Sequence, residues 1–269
     1  MSEFGTTNLG RTDLKIGRLG VAASYGAPAS AFEAAFERGC NYFYLGSGRH
    51  RAGMRQAVRN ICRKGQRDQL VVALQTYARF GTFTEFTLRR WLRSLGLAHA
   101  DVLVLGWHNR PPSHSLMERA LALQARGLFK YLAMSGHNRP LFPTLAASEP
   151  FDIFHVRYNA AHRGAETEVF PQLPSENRVG IVTYTATRWG HLLNPKKMPP
   201  GETAPTATDC YRFVLSNPAV DVCLCGPKDM NQMESALRVL DLGPLEPPEH
   251  QRMQRIGDHI HQHGKGFFG

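Results

Sequence analysis

The chain has 269 residues, 42% hydrophobic and 20% charged, the proportions of a folded protein, and that length suits one large α/β barrel or two ordinary domains. No run approaches the roughly eighteen apolar residues of a membrane span, and the opening MSEFGTTNLGRTD has no apolar centre of a secretory leader, so a cytoplasmic location is expected. The formal charge of +10 favours anionic partners, whether a phosphorylated cofactor, an acidic substrate or nucleic acid.

Along the chain, residues 6–16 read as a small hairpin, and eight short apolar runs follow it, at 19–22, 42–44, 70–74, 102–105, 131–134, 153–156, 180–183 and 220–224. Several are almost continuously apolar, as strands buried on both faces are. The segments between them have helical period: Met54, Val58, Ile61 and Cys62, then Leu88, Trp91, Leu92 and Leu95, recur at the spacing that lines one face. Thr82 with Glu85, and Ser115 with Glu118, have the S/T-x-x-E form of a capping box and predict helix starts there. The Pro-rich stretch 194–205 reads as a long loop after the seventh strand, because another strand and helix follow it. Met230 and Met233 form a core stripe with Leu237 and Leu240, and a final amphipathic helix is expected over about 248–262. With no composition shift to divide it, this alternation predicts a single-domain (β/α)8 barrel.

Lesser signals lead to bland readings. Cys40, Cys62, Cys210, Cys223 and Cys225 are odd in number with no C-x-x-C pair, which fits reduced core thiols. A helix would place His259 and His263 on one face, with His261 between them, but no third ligand accompanies them and no metal site is expected. The basic clusters at 63–67 and 89–93 lack any nucleic-acid motif. Arg89, Arg90 and Arg93 fall between the apolar positions of their helix, so they read as its solvated face and nucleic-acid binding is not expected.

Over nearly its whole length the chain resembles the aldo-keto reductase family. LGRTDLKIGRLGVAASYG is similar to that family's N-terminal hairpin and first strand, and AFEAAFERGCNYFYLGSG to its first helix and second strand. TLRRWLRSLGLAHADVLVLGWHN resembles the third helix and fourth strand, and RGLFKYLAMSGHN the fifth strand. RYNAAHRGAETEVFPQL and VLSNPAVDVCLCGPK continue the match in the same order. The resemblance implies a (β/α)8 barrel with an N-terminal hairpin and an extra C-terminal helix, and NADP(H)-dependent reduction of a carbonyl compound.

It also implies a tetrad of Asp, Tyr, Lys and His at the ends of strands two to four. Aligned by their neighbours, Tyr44, Arg49, Gln75 and Gly106 stand at those places. In the family the Lys, backed by the Asp, lowers the Tyr pKa so that the phenol protonates the carbonyl oxygen as hydride arrives. Gln75 carries no charge for this. Arg49 holds its proton too tightly to be an acid, although its guanidinium could clamp a carboxylate or an oxyanion. Tyr44, His50, Tyr77 and His108, at or just past the ends of strands two to four, are the candidate replacement donors. On the cofactor side the resemblance implies that Ser135 holds the carboxamide and Tyr184 stacks on the nicotinamide, while Gly136 and His155 replace an Asn and a Gln. The loop YTATRWGHLL, with Arg188 and its backbone N–H groups, stands at the pyrophosphate loop, and Lys228 is available for a further phosphate. Gln232, Ser235 and Ala236 replace the residues that clamp the adenosine end.

The expectation is an aldo-keto-reductase-like, NADP(H)-dependent oxidoreductase with a rearranged acid site. Its substrate would be a small carbonyl compound whose anionic character Arg49, His50 and His108 select. Two other readings stay open. One is a catalytically silent relative that keeps the barrel as a ligand-binding or partner-binding module; the other is a cofactor-free enzyme using the histidines and tyrosines for acid–base work.

Overall fold

Short apolar strands that alternate with amphipathic segments bury both when the strands lie inside and the helices outside. The computed structural model describes residues 4–46 and 50–264. It begins with the hairpin β1 (Thr6–Asn8) and β2 (Lys15–Gly17). The barrel follows: β3 (Leu19–Ala22), α1 (Ala29–Glu37), β4 (Tyr42–Leu45), α2 (Ala52–Arg63), β5 (Val71–Thr76), α3 (Gly81–Leu95), β6 (Ala100–Leu105) and α4 (His114–Ala125). It continues with β7 (Phe129–Gly136), α5 (Leu141–Ser148), β8 (Ile153–Arg157), α6 (Ala165–Glu168), β9 (Gly180–Tyr184), α7 (Ala207–Leu215) and β10 (Val222–Cys225). Three helices end it: α8 (Met230–Leu237), α9 (Val239–Leu242) and α10 (Pro247–His263). Strands β3 to β10 pair in parallel and close, β10 against β3. No helix among the described residues is long and apolar enough to cross a membrane.

Alternation along each strand separates two cores. Phe43, Val72, Leu74, Leu103, Leu105, Leu132, Phe154 and Ile181 pack outward against the helices. Tyr42, Val71, Ala73, Val102, Val104, Ala133, Ile153, Val182 and Val222 pack inward, and Leu9, Leu14 and Ile16 of the hairpin plug the floor beneath them. Two residues further along, the inward set reaches Tyr44, Gln75, Ser135, His155 and Tyr184, so the strand period itself delivers these side chains to the mouth.

The floor repeats one device. Asp101, Asp152 and Asp221, at or just before the starts of β6, β8 and β10, accept the N–H of Val72, Leu132 and Ile181 on the preceding strand at 2.8, 2.9 and 2.8 Å. Asn41, before β4, accepts from Gly17 at 2.9 Å and donates to Lys15 and Gln69 carbonyls. Arg67 and Arg178 back Asp101 and Asp221 at 2.9 and 2.7 Å. Arg67, part of the basic cluster at 63–67, therefore serves the barrel floor.

Both expected capping boxes are corrected. Helix α3 starts at Gly81 with no side-chain cap, which puts Thr82 inside it, and Glu85 pairs instead with Arg89, Arg119 and Arg126. Helix α4 is capped by Ser113, which accepts from Leu116 N, so Ser115 is already helical. The reciprocal boxes are Thr206 with Asp209 and Glu246 with Glu249, forms the S/T-x-x-E pattern passes over because Asp replaces Glu in one and Glu replaces Ser in the other. Four cysteines are buried and Cys62 is half-buried, all reduced. His259 and His263 lie ring to ring at 4.2 Å, and no group of three metal-ligating side chains gathers among the described residues.

Asp221→Ala leaves the Ile181 N–H without its acceptor and Arg178 without its carboxylate, with only the Val179 and Ala219 carbonyls remaining to the guanidinium, and should cost about 3 kcal/mol in urea unfolding. Asp241→Ala, which removes an exposed partner of Arg38, should cost less than about 1 kcal/mol. Equal losses would show that the floor carboxylates are ordinary surface charges.

Candidate active site

The mouth holds a cavity of about 740 Å³. Its base is formed by Ala22, Tyr44, Gln75, Ser135, His155 and Leu224, and its walls by residues that include Tyr25, Tyr77, Trp107, His137 and Trp189 of the loops and Tyr211 of α7. Among the described residues no Asp, Glu, Lys or Arg lines it. Aromatic rings and neutral polar groups therefore do the selecting.

At the tetrad places, the Tyr44 hydroxyl donates to Gln75 Oε1. A Cβ at Gly106 would lie 2.4 Å from Gln75 Nε2, so the amide occupies the space where the resemblance puts a histidine. Gln75 and Gly106 thus form one fitted unit. Burial raises the Tyr44 pKa well above its ordinary value, and the neighbouring phenols of Tyr77, Tyr42 and Tyr184 raise it further. Beneath it His155, 1% exposed, hydrogen-bonds through Nε2 to the Tyr42 hydroxyl at 2.9 Å, and burial lowers its pKa to about 3. The base of the cavity is neutral at physiological pH.

Two expected donors do not reach this cavity. His108 is buried behind the wall. Arg79 donates to its Nε2 at 3.0 Å as well as to Gly106 O and Trp107 O, and a guanidinium has only donors, so the His108 ring proton sits on Nδ1. Burial and then the Arg79 charge lower its pKa to about 4. His50 is exposed and bridges Tyr25 through its backbone, outside the lining. Arg49 lies outside the described residues.

Where the resemblance would place a cofactor, the strand ends come together. Ser135 Oγ accepts the Trp107 N–H at 3.1 Å, which helps hold Trp107 in a left-handed conformation (φ +59) with its ring over the mouth. The Tyr184 hydroxyl donates to Gly136 O at 2.9 Å, and its ring meets His137 edge-on, which in turn meets Trp107 edge-on. After β9, left-handed residues Thr185, Arg188, Trp189 and Gly190 curl the chain. The N–H groups of Arg188, Gly190 and His191 bond within the loop, whereas those of Ala186, Thr187 and Trp189 meet no acceptor among the described residues. Arg188 departs from expectation: its guanidinium is buried and donates to Ile260 O at 2.6 Å, tying the loop to α10. Lys228 is exposed and outside the lining, while Gln232 and Ser235 line it.

His137, Trp189, Tyr25 and Tyr211 are wall residues that sequence reasoning passed over. The available signal was an aromatic ring within two residues of a strand end, as at Trp107 and His137, since such positions start the loops that rim a barrel.

No protein-family model and no curated protein sequence matches the chain. Among solved structures it is similar to aldo-keto reductase AKR11C1 from Bacillus halodurans. The holo form is 18% identical, with a TM-score of 0.77, over 93% of this chain and 95% of that one. The apo form is 20% identical, with a TM-score of 0.76 over the same shares. The likeness shows that this chain has the barrel fold of an aldo-keto reductase.

The neutral state of His155 has a consequence for stability. An unfolded histidine protonates near 6.5, but the folded one resists until about 3. Between those values only the unfolded chain gains the proton, so stability is full above pH 6.5 and falls as pH drops, by roughly 3 kcal/mol from this residue at pH 4. His155→Gln should flatten the difference between urea midpoints at pH 7 and pH 4; an unaltered difference would mean that His155 is not held neutral by the fold.

Proposed function

We propose that the protein is an NADP(H)-dependent oxidoreductase of the aldo-keto reductase type with a rearranged acid site, acting on a small carbonyl compound. The observation that carries this reading is the loop Thr185–Gly190, which has four left-handed residues and three N–H groups with no acceptor among the described residues, and of which Thr185, Ala186, Thr187, Trp189 and Gly190 line the same cavity as Tyr184 and Ser135. Those N–H groups suit a pyrophosphate, the Tyr184 ring suits one face of a nicotinamide, and the Ser135 hydroxyl keeps a proton to donate to a carboxamide. The holo form of the Bacillus halodurans neighbour is consistent with a ligand in this fold.

When bound, the nicotinamide supplies or accepts hydride. The chain's part is to position the carbonyl and provide its proton. Tyr44 is the phenol at the base, and it must turn from Gln75 to the carbonyl oxygen to give that proton. Because its pKa is raised where the reaction asks for it to be lowered, turnover should lie about two to four orders of magnitude below that of a site with a tuned acid. Of the groups expected to select an anionic substrate, only Arg49 is left as a carrier, and the described wall selects by aromatic contact instead.

A second reading, a barrel kept as a silent binding module, is favoured by the same closed pair of Tyr44 and Gln75. Titration with NADPH, followed on tryptophan fluorescence, separates nucleotide binding from its absence: saturable quenching that Trp189→Phe largely removes supports the cofactor, and no change up to about 1 mM removes it. Gln75→Lys separates the two readings of the site. A charged amine beside Tyr44 should lower the phenol's pKa and raise carbonyl-dependent NADPH oxidation about ten-fold to a hundred-fold, with Tyr44→Phe abolishing the gain. Nucleotide binding with no turnover in either protein would favour the silent module.

A further inference from the structure

A second cavity, of about 330 Å³, lies between the loops that follow β7 and β8 and the end of α10, and it shares His137 with the first. Arg139, Arg157, Arg163 and His162 line it, and Asp258 is the one acidic residue among its described lining. The rim arginines are anchored. Arg139 donates from Nε and Nη2 to Glu168 at 3.0 and 2.7 Å, and Arg163 pairs with Asp258 at 2.8 Å. Gly164 makes room for the first of them: a Cβ there would lie 2.5 Å from Arg139 Cζ.

Two features of the interior point to a ligand. Arg157, 6% exposed, ends β8 between His137 and His162. Burial lowers the proton affinity of both histidines and the Arg157 charge lowers it further, so the space between them is electropositive. His162 is 5% exposed, and its Nδ1 lies 2.7 Å from Ala161 O, which places the ring proton there. Nε2 then carries a bare lone pair, buried, with no hydrogen-bond partner among the described residues. Native folds seldom leave such an acceptor unmet.

Negative charge beside guanidinium groups and a proton for an imidazole lone pair are both supplied by a phosphate oxyanion. We propose that this cavity binds a phosphate group, inorganic phosphate or a small phosphate monoester, between Arg139, Arg157 and Arg163, with one proton shared between a phosphate oxygen and His162 Nε2. The proposal stands apart from the reductase reading and survives its failure, because it uses no nicotinamide and no residue of the acid site.

The test is titration of the full-length protein at pH 7.5 with inorganic phosphate, read on the histidine side-chain resonances of a nitrogen-15-labelled sample. Saturable shifts at His162 and His137 with a Kd at or below about 1 mM are expected. His162→Gln and Arg139→Gln should each weaken binding about ten-fold. Arg139 is half-buried at the rim, so its variant keeps the test sound if His162→Gln unfolds in a parallel thermal melt. Sulfate, which brings no proton at this pH, should bind about ten-fold more weakly than phosphate. Compared at pH 6, where a monoester also keeps a phosphate proton in about half of its molecules, glycerol phosphate binding more tightly than inorganic phosphate assigns the site to a monoester, and the reverse order to the free ion. Absence of a saturable His162 shift up to about 10 mM, unchanged affinity in both variants, or sulfate binding as well as phosphate overturns the proposal.

Discussion

Eight parallel strands close into a barrel only if the backbone groups at its floor are satisfied where no neighbouring turn can reach them. Asn41, Asp101, Asp152 and Asp221 meet that demand at alternate strands, each accepting a backbone N–H from the chain just before it in the barrel. Arg67 and Arg178 neutralise two of the carboxylates. With the floor fixed, the two-residue period of each strand sets the height at which its inward side chains emerge. Tyr44, Gln75, Ser135 and Tyr184 all come to line one cavity near the ends of their strands.

The residues at these strand ends explain why the base of the cavity is neutral. Gln75 and Gly106 fit one another, the amide lying where a side chain on residue 106 would be, so residue 106 cannot carry a side chain unless the Gln75 amide moves. Tyr44 is left with an amide acceptor and with phenols as neighbours, and every one of those surroundings opposes ionisation. His155 and His108 are neutral for a related reason, burial without a carboxylate partner. Charge is concentrated instead behind the mouth, where Arg79, Arg139, Arg157 and Arg188 support loops and line the second cavity.

Much of the fold was legible. Near-continuous apolar runs marked each barrel strand to within a few residues, and β3 to the residue. The helix starts were less legible, because Phe80 and Ser113 occupy the cap positions and the pattern of a Thr or Ser three residues before a Glu also occurs inside a first turn. Within the site, Tyr44, Gln75, Ser135, His155 and Tyr184 could be placed because each sits at or near a strand end on the inward period. His50, His108 and Arg188 could not, since loop backbone has no period from which direction can be read.

Alternation of polarity and the positions of strand ends lie in the local chain, so the sequence alone determined the barrel, its hairpin plug, the closing helix and the side chains at the mouth. The tertiary structure decided where loop side chains turn: His108 toward Arg79, Arg188 toward the end of α10, and Trp107, His137 and Trp189 over the cavity. Those directions depend on hydrogen-bond partners distant in the chain and on left-handed backbone at Trp107 and Trp189, which no local pattern of residues specifies.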